Sequence, residues 1–127
     1  MSDVVRAEFT PNGPPNIPEF GTVKDPDGFK ALYEMSPYHH VTDGTKYPAV
    51  MVTTGFNDPR VVSWEPGKMA ARLQAATSSG KPILLRVDYD AGHGIGSTKT
   101  QKEEELADEW SFVMWQFGVA EFQPAKP

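Results

Sequence analysis

Two short loops carry side chains that could take part in hydrolytic chemistry. Asp58 lies in the segment GFNDPRVV (55–62), and His93 lies in the glycine-rich segment DAGHGIG (90–96). A carboxylate that accepts the Nδ1–H of an imidazole fixes its tautomer and stabilises the imidazolium, while Nε2 takes a proton from a nucleophile. The two residues could therefore act as the acid and the base of a hydrolase.

Each of the two residues also has a simpler interpretation. Asn-Asp-Pro is ordinary turn chemistry, so Asp58 could be a turn or helix-capping aspartate. His93 could be a surface histidine in a flexible loop, because a single titratable group specifies no activity. The GHGIG segment lacks the spacing and the lysine of a phosphate-binding loop. The catalytic interpretation depends on whether the fold brings the two loops together.

Five segments have the patterns of regular elements. Residues 47–54 and 82–89 are short apolar runs rich in β-branched residues, which predicts two buried strands. Residues 64–77 and 98–118 have apolar side chains at helical spacing, which predicts two long helices, and a shorter helix is predicted over 27–35. The apolar stripe of the first long helix is Met69, Leu73 and Ala76, and that of the second is Leu106, Trp110, Val113, Met114 and Phe117.

The order strand, helix, strand, helix is typical of an α/β fold with a parallel sheet. Active sites of such sheets gather at the carboxyl ends of the strands. We therefore expect Asp58 and His93 to share one edge of the sheet. The order acid before base also fits the Ser, Asp, His order of α/β-hydrolases. The sequence has no Gly-x-Ser-x-Gly elbow, so the nucleophile is expected upstream of Met1.

These motifs resemble those of the prolyl oligopeptidase family of serine peptidases. The family has an x-Asp-x-Arg-Val motif after one strand and Ala-Gly-His-Gly after the next, and this chain has NDPRV (57–61) and AGHG (91–94). The segment YEMSPYHHV (33–41) resembles the family's Tyr-Ser-Pro-x-x-Asn-Val segment. The resemblance extends through the last helix and covers nearly the whole chain.

The resemblance implies roles for individual residues. Asp58 would be the acid of the triad and His93 the base. Arg60 would donate a hydrogen bond to a substrate carbonyl near the scissile bond, and Val61 would line the pocket for proline. Phe20 would be a pocket-lining aromatic residue. The substrate would be a peptide, and no cofactor is implied.

The resemblance also implies that residues 1–127 form a single partial α/β-hydrolase domain, the C-terminal part of the hydrolase sheet. The serine-bearing half, the oxyanion donors and the β-propeller of the family are missing from this sequence. The intact parent would be a serine peptidase that cleaves peptide bonds, whereas the isolated chain would have negligible activity.

An alternative function from a different class is a non-catalytic interaction module. Truncation of a hydrolase sheet leaves strand edges unpaired, and such edges favour strand addition or swapping. With either function, we expect a homo-oligomer or a strand-swapped assembly.

Composition disfavours several other classes of protein. The net charge is −5 and the 12 basic residues are scattered, which argues against nucleic-acid binding. No apolar run is long enough for a membrane span, and the first residues lack a signal-peptide pattern. The chain has no cysteine, which excludes disulfides and thiolate metal sites, and a cytoplasmic location is expected.

Three remaining features have structural interpretations. Residues 9–28 are dense in proline and glycine, so no regular element is expected there, although their apolar side chains should pack against the rest of the chain. His39 and His40 are adjacent, point in different directions and have no evident third partner, so no metal site is predicted. The three tryptophans are expected to pack in the core.

Overall fold

The computed structural model describes residues 2–94 and 97–125. The α-helices are α1 (Ile17–Phe20), α2 (Pro26–Met35), α3 (Trp64–Ala76) and α4 (Lys99–Gln116), and the strands are β1 (Val50–Gly55) and β2 (Ile83–Asp88). Short 3₁₀ helices span Val4–Phe9, Pro14–Asn16, Pro37–His40 and Ala120–Phe122. The predicted strands and the three predicted helices are all present, with ends shifted by a few residues.

The two strands pair in parallel, with Val50 opposite Ile83 and Gly55 opposite Asp88. Helix α3 connects them, which gives the predicted strand, helix, strand unit. Both strands end at the same edge of the sheet, so the loops that follow them start side by side. The prediction of a parallel α/β arrangement is confirmed.

The core lies between α3 and the amino ends of the strands. Leu73 and Ala76 of α3 are buried against Ile83 of β2 and against Val41, and Met69 packs on this cluster. The predicted apolar stripe of α3 is therefore the face that packs on the sheet. Because the sheet rests on this helix, the carboxyl ends of the strands have a fixed support.

Helix α4 begins at a capping box. The Gln101 N–H donates to the Thr98 side chain over 3.2 Å, and the Thr98 N–H donates to the Gln101 side chain over 2.7 Å. Such a reciprocal pair satisfies backbone donors that a helix start leaves without partners. The loop that carries His93 therefore ends at a defined point. In the described part of the chain, no helix is long and apolar enough to cross a membrane.

Two predictions about burial are wrong. Leu84 and Leu85 of the second strand are exposed, and Trp110 of α4 is 58% exposed. Trp64 and Phe117 are also exposed. These side chains are exposed because the sheet is small. In residues 2–94 and 97–125, β1 and β2 pair only with each other, and this two-stranded sheet covers little of α4.

The expectation of no regular element in residues 9–28 is also wrong. The segment contains the short helix α1 and a 3₁₀ turn, and Pro26 is at the first position of α2. Proline favours such positions because its fixed φ suits a helix start and its missing N–H is not needed there. The expected packing of the segment's apolar side chains is wrong for Phe9 and Phe20, which are exposed, whereas Ile17 and Val23 are half-buried.

Candidate active site

The two loops at the strand ends are held together through their backbones. The Phe56 N–H donates to Asp88 O over 2.7 Å, and the Asn57 N–H donates to Ala91 O over 3.1 Å. The Asn57 side-chain amide donates to Tyr89 O over 2.8 Å. These bonds continue the strand pairing beyond the sheet, so they fix the two loops relative to each other.

Asp58 uses its two carboxylate oxygens for different partners. Oδ1 accepts the backbone N–H groups of Arg60 at 2.8 Å and Val61 at 2.9 Å. Oδ2 lies 2.7 Å from His93 Nδ1. Asp58 is therefore both the turn aspartate of the simpler interpretation and the partner of the histidine, because the turn holds the carboxylate in place for the imidazole.

The electrostatics of this pair favour an ionised aspartate. The side chain of Asp58 is 9% exposed and that of His93 is 34% exposed. Burial alone would raise the pKa of Asp58, but hydrogen bonds from the Val61 N–H, His93 and the Arg60 N–H outweigh it and hold that pKa below its ordinary value. An ionised carboxylate only accepts hydrogen bonds, so His93 Nδ1 carries the proton that joins the pair and a neutral ring has Nε2 as its acceptor.

The loop with His93 is supported by an aspartate that the sequence patterns did not single out. Asp88 Oδ1 accepts the N–H groups of Asp90 at 2.9 Å and Ala91 at 2.8 Å. This repeats the turn that Asp58 makes with the residues two and three positions after it. The signal available in the sequence was an aspartate just ahead of a glycine-rich loop at a strand end.

A cavity of about 430 Å³ opens beside the pair. Asp58, His93 and Val61 line it, together with Glu65 of α3 and Ser2. A site for a small part of a substrate or for a neighbouring segment of protein therefore adjoins the imidazole. The size is within the range of ordinary ligand sites.

Two other predicted site residues lie outside this cavity. Arg60 is exposed on the turn that Asp58 holds. Phe20 lines a separate cavity of about 30 Å³ with Ile17 and Leu32, so the structure does not bring it to the pair. The assigned roles of both residues stay predictions.

His39 and His40 have partners of their own. His39 Nδ1 is 2.8 Å from the Ser36 hydroxyl, and His40 Nε2 is 3.0 Å from Tyr33 O. Among residues 2–94 and 97–125, no three histidine, aspartate or glutamate side chains are grouped as a metal site requires.

The lining of the cavity beside Asp58 and His93 also contains a buried carboxyl group. Glu65 is nearly inaccessible, its side chain accepts the Ser2 N–H at 3.3 Å, and its backbone oxygen accepts the Ser2 hydroxyl at 3.2 Å. Burial raises the pKa of Glu65, and the hydrogen bond from Ser2 offsets this only in part. The neighbouring Asp3 is fully buried against Lys68.

Comparison with known proteins decides the family. The model of the family described as "Prolyl oligopeptidase family" matches residues 4–120. The chain belongs to the prolyl oligopeptidase family. The resemblance predicted from the NDPRV and AGHG motifs is therefore confirmed, and so is the α/β-hydrolase fold that the solved relatives share.

Curated members of the prolyl oligopeptidase family are much longer than this chain. The prolyl endopeptidase of Elizabethkingia meningoseptica is 40% identical over 102 residues, which are 80% of this chain and 14% of that enzyme. The prolyl oligopeptidase A of Amanita bisporigera is 37% identical over 105 residues, which are 82% of this chain and 14% of that enzyme. The chain thus spans about a seventh of the length of these relatives.

Solved structures of the family have the same fold over the matched part. A prolyl endopeptidase superposes with a TM-score of 0.85 and 34% identity, over 92% of this chain and 17% of its own. The prolyl oligopeptidase B of Galerina marginata, bound to a 35-residue hydrolysis and macrocyclization substrate, gives a TM-score of 0.84 and 29% identity over 93% of this chain and 17% of its own. Substrate-bound variants of that enzyme replace one serine, one histidine or one aspartate by alanine.

Proposed function

We propose that Asp58 and His93 are the acid and the base of a Ser-His-Asp triad in a serine peptidase that cleaves peptide bonds after proline in short peptides. The observation that carries the proposal is the 2.7 Å contact between Asp58 Oδ2 and His93 Nδ1 at the carboxyl edge of a parallel sheet. Membership of the family supports it. Further support is that the three residue types replaced in the Galerina marginata variants are those of such a triad.

The chemistry follows from the roles of the two ring nitrogens. Asp58 holds Nδ1–H, so Nε2 is free to take the proton of a serine hydroxyl as that oxygen attacks the peptide carbonyl. The protonated imidazole then gives this proton to the leaving amine, the C–N bond breaks and an acyl-enzyme remains. Water, deprotonated by His93 in the same way, attacks the ester and releases the acid.

The serine comes from protein outside this sequence, which has no Gly-x-Ser-x-Gly elbow. Without the serine and an oxyanion hole, the isolated chain has no nucleophile and no site for the developing negative charge. We therefore expect the chain to act only when it is joined to, or assembled with, a serine-bearing part of the domain.

Arg60 and Val61 would bind the substrate. The backbone N–H groups of both residues hold Asp58, and Arg60 is exposed at the rim of that turn without lining the cavity. The guanidinium is thereby available to donate to a substrate carbonyl. Val61 lines the cavity beside the imidazole, where an apolar surface suits a proline ring.

A chimeric enzyme tests the proposal. This chain would replace the matching segment of the Elizabethkingia meningoseptica prolyl endopeptidase, and turnover of a fluorogenic peptide with proline before the cleaved bond would be measured. We expect turnover by the chimera and none by the chain alone. His93→Gln should abolish turnover, whereas the control His40→Gln, at an exposed histidine that bonds a backbone carbonyl, should retain it. Turnover by the purified chain, or equal activity of the two variants, would contradict the proposal.

A second candidate function, a self-association module, is favoured by one observation. Leu106 and Trp110 are exposed on α4, Phe117 is exposed directly after it, and Leu84 and Leu85 are exposed on β2. Exposed large apolar side chains of this kind are candidates for an interface when they form a patch. Sedimentation of the chain should then show a dimer or a larger assembly, and a monomer at all concentrations would count against this function.

A further inference from the structure

A second cavity, of about 450 Å³, lies on the N-terminal side of α3. It is separate from the cavity of Asp58 and His93. The residues that line it are Arg6, Phe9, Thr10, Pro11 and Trp64. Phe9 is 68% exposed and Trp64 is 46% exposed, so two aromatic side chains flank an opening to solvent.

The charge in this cavity is positive. The side chain of Arg6 is 69% exposed, and its carboxylate contact within the described residues is Asp3, 3.9 Å from Nε. That distance is too long for a hydrogen bond. Asp3 is instead bound closely by Lys68, which neutralises it. The guanidinium of Arg6 thus faces solvent with its charge largely uncompensated.

The cavity adjoins the loop that carries the triad acid. Asn12 follows the lining residue Pro11, and its side-chain amide donates to the carbonyl of Pro59, next to Asp58. On the other side, Trp64 is the first residue of α3, directly after that loop. A peptide that reached from the imidazole along the loop would therefore meet Arg6 and the two aromatic rings.

We propose that this second cavity is a subsite for a carboxylate of the peptide substrate. The planar guanidinium of Arg6 would bind the carboxylate through two parallel N–H donors. The ammonium group of a lysine cannot provide this paired geometry. Phe9 and Trp64 would pack against the apolar part of the peptide next to that carboxylate and partly shield the ion pair from water. The inference rests on the proposed peptidase function, because it assigns part of the same substrate.

The carboxylate could be the C-terminus of a short peptide or an acidic side chain, and three probes distinguish these sources. They are N-acetyl-Ala-Phe as the free acid, the same peptide as its C-terminal amide, and N-acetyl-Glu-Phe amide. Binding to the full chain would be followed by the NMR signals of the Trp64 indole N–H and the Arg6 side-chain N–H. We expect at least one carboxylate probe to bind about twofold to fivefold more tightly than the uncharged amide, since an ion pair at an exposed site contributes about this much.

Substitutions then test the assigned residue. Arg6→Met should remove the preference for the carboxylate probes, and Arg6→Lys should retain only part of it. The control Lys30→Met removes an exposed positive charge from α2 and should leave the preference unchanged. The NMR spectrum of each variant also reports whether it is folded.

Equal binding of the acid and amide probes, or an undiminished preference in Arg6→Met, would overturn the subsite. The measurement does not depend on turnover. A carboxylate preference together with an inactive chimera would contradict only the peptidase function, whereas an active chimera without the preference would contradict only the subsite.

Discussion

The backbone of Gly55, at the end of β1, lies directly against the carbonyl group of Gly92. A Cβ atom at position 55 would be 2.3 Å from Gly92 O and 2.5 Å from Ala91 O. Only glycine allows this approach. The loop of the proposed acid and the loop of the proposed base are thus joined at the point where β1 ends.

Gly55→Ala should destabilise the chain by about 2 kcal/mol, because the new methyl group must displace backbone rather than a flexible side chain. It should also separate the two loops and lower the activity of the chimera. The matched control is Gly67→Ala, at the end of the first turn of α3, where the nearest atom is Leu85 Cδ2 at 3.8 Å. That change should stabilise the chain by about 0.5–1 kcal/mol, since alanine favours a helix. Urea unfolding of both variants would check this, and a neutral Gly55→Ala would contradict the argument.

Asp58→Asn should lower kcat of the chimeric enzyme by about 10⁴-fold, because the amide group no longer fixes the tautomer of His93 or stabilises the imidazolium. The fold should persist, since an amide oxygen can still accept the N–H groups of Arg60 and Val61. The control is Asp43→Asn, an exposed aspartate that pairs with Arg72. Steady-state kinetics of both variants would show whether only Asp58→Asn lowers kcat.

The elements that position the pair were predictable from local patterns, and their surroundings were not. Apolar runs and helical spacing predicted both strands and α3, because these elements pack on one another. The core position of Trp110 was predicted wrongly, since the same apolar spacing also occurs on a helix that the described sheet does not cover. The buried contact between Asp3 and Lys68 joins residues far apart in sequence, and no local pattern indicates such a contact.

The pKa of Asp58 predicts how stability depends on pH. This pKa is lowered in the folded chain, so the folded state favours the carboxylate. Its contribution to the free energy of unfolding should be complete above the ordinary aspartate value of about 4 and should be lost as the pH falls through the folded pKa. The difference in unfolding free energy between the unsubstituted chain and Asp58→Asn should therefore shrink as the pH falls from about 5 to about 2. A constant difference would mean that Asp58 gains no stabilisation from its ionisation.

Glu65 should show the opposite dependence. Burial raises its pKa, so the folded state favours the protonated form. Its contribution is complete below the ordinary glutamate value of about 4.3 and declines as the pH rises through the folded pKa. Glu65→Gln keeps an acceptor for the Ser2 N–H and removes the ionisation, so it should stabilise the chain more at about pH 7 than at about pH 4. Thermal unfolding at the two pH values measures this, and an equal effect at both would be evidence against it.

The pair of Asp3 and Lys68, whose carboxylate is fully buried, should contribute more to folding than the pair of Arg86 and Asp108, whose carboxylate is exposed. Asp3 is fully buried. Asp3→Asn removes the negative charge and leaves Lys68 without its counter-ion, so we expect a destabilisation of about 3 kcal/mol. Asp108 is 58% exposed, and Asp108→Asn should cost less than about 1 kcal/mol, because water and salt already screen that pair. Urea unfolding at low and high salt separates the two cases, since added salt should reduce mainly the effect of Asp108→Asn, whose carboxylate faces solvent. Equal losses of stability in Asp3→Asn and Asp108→Asn would show that the Asp3 contact is not sheltered from solvent. This contact could then not be the anchor that holds Ser2 and Glu65 at the wall of the candidate active site.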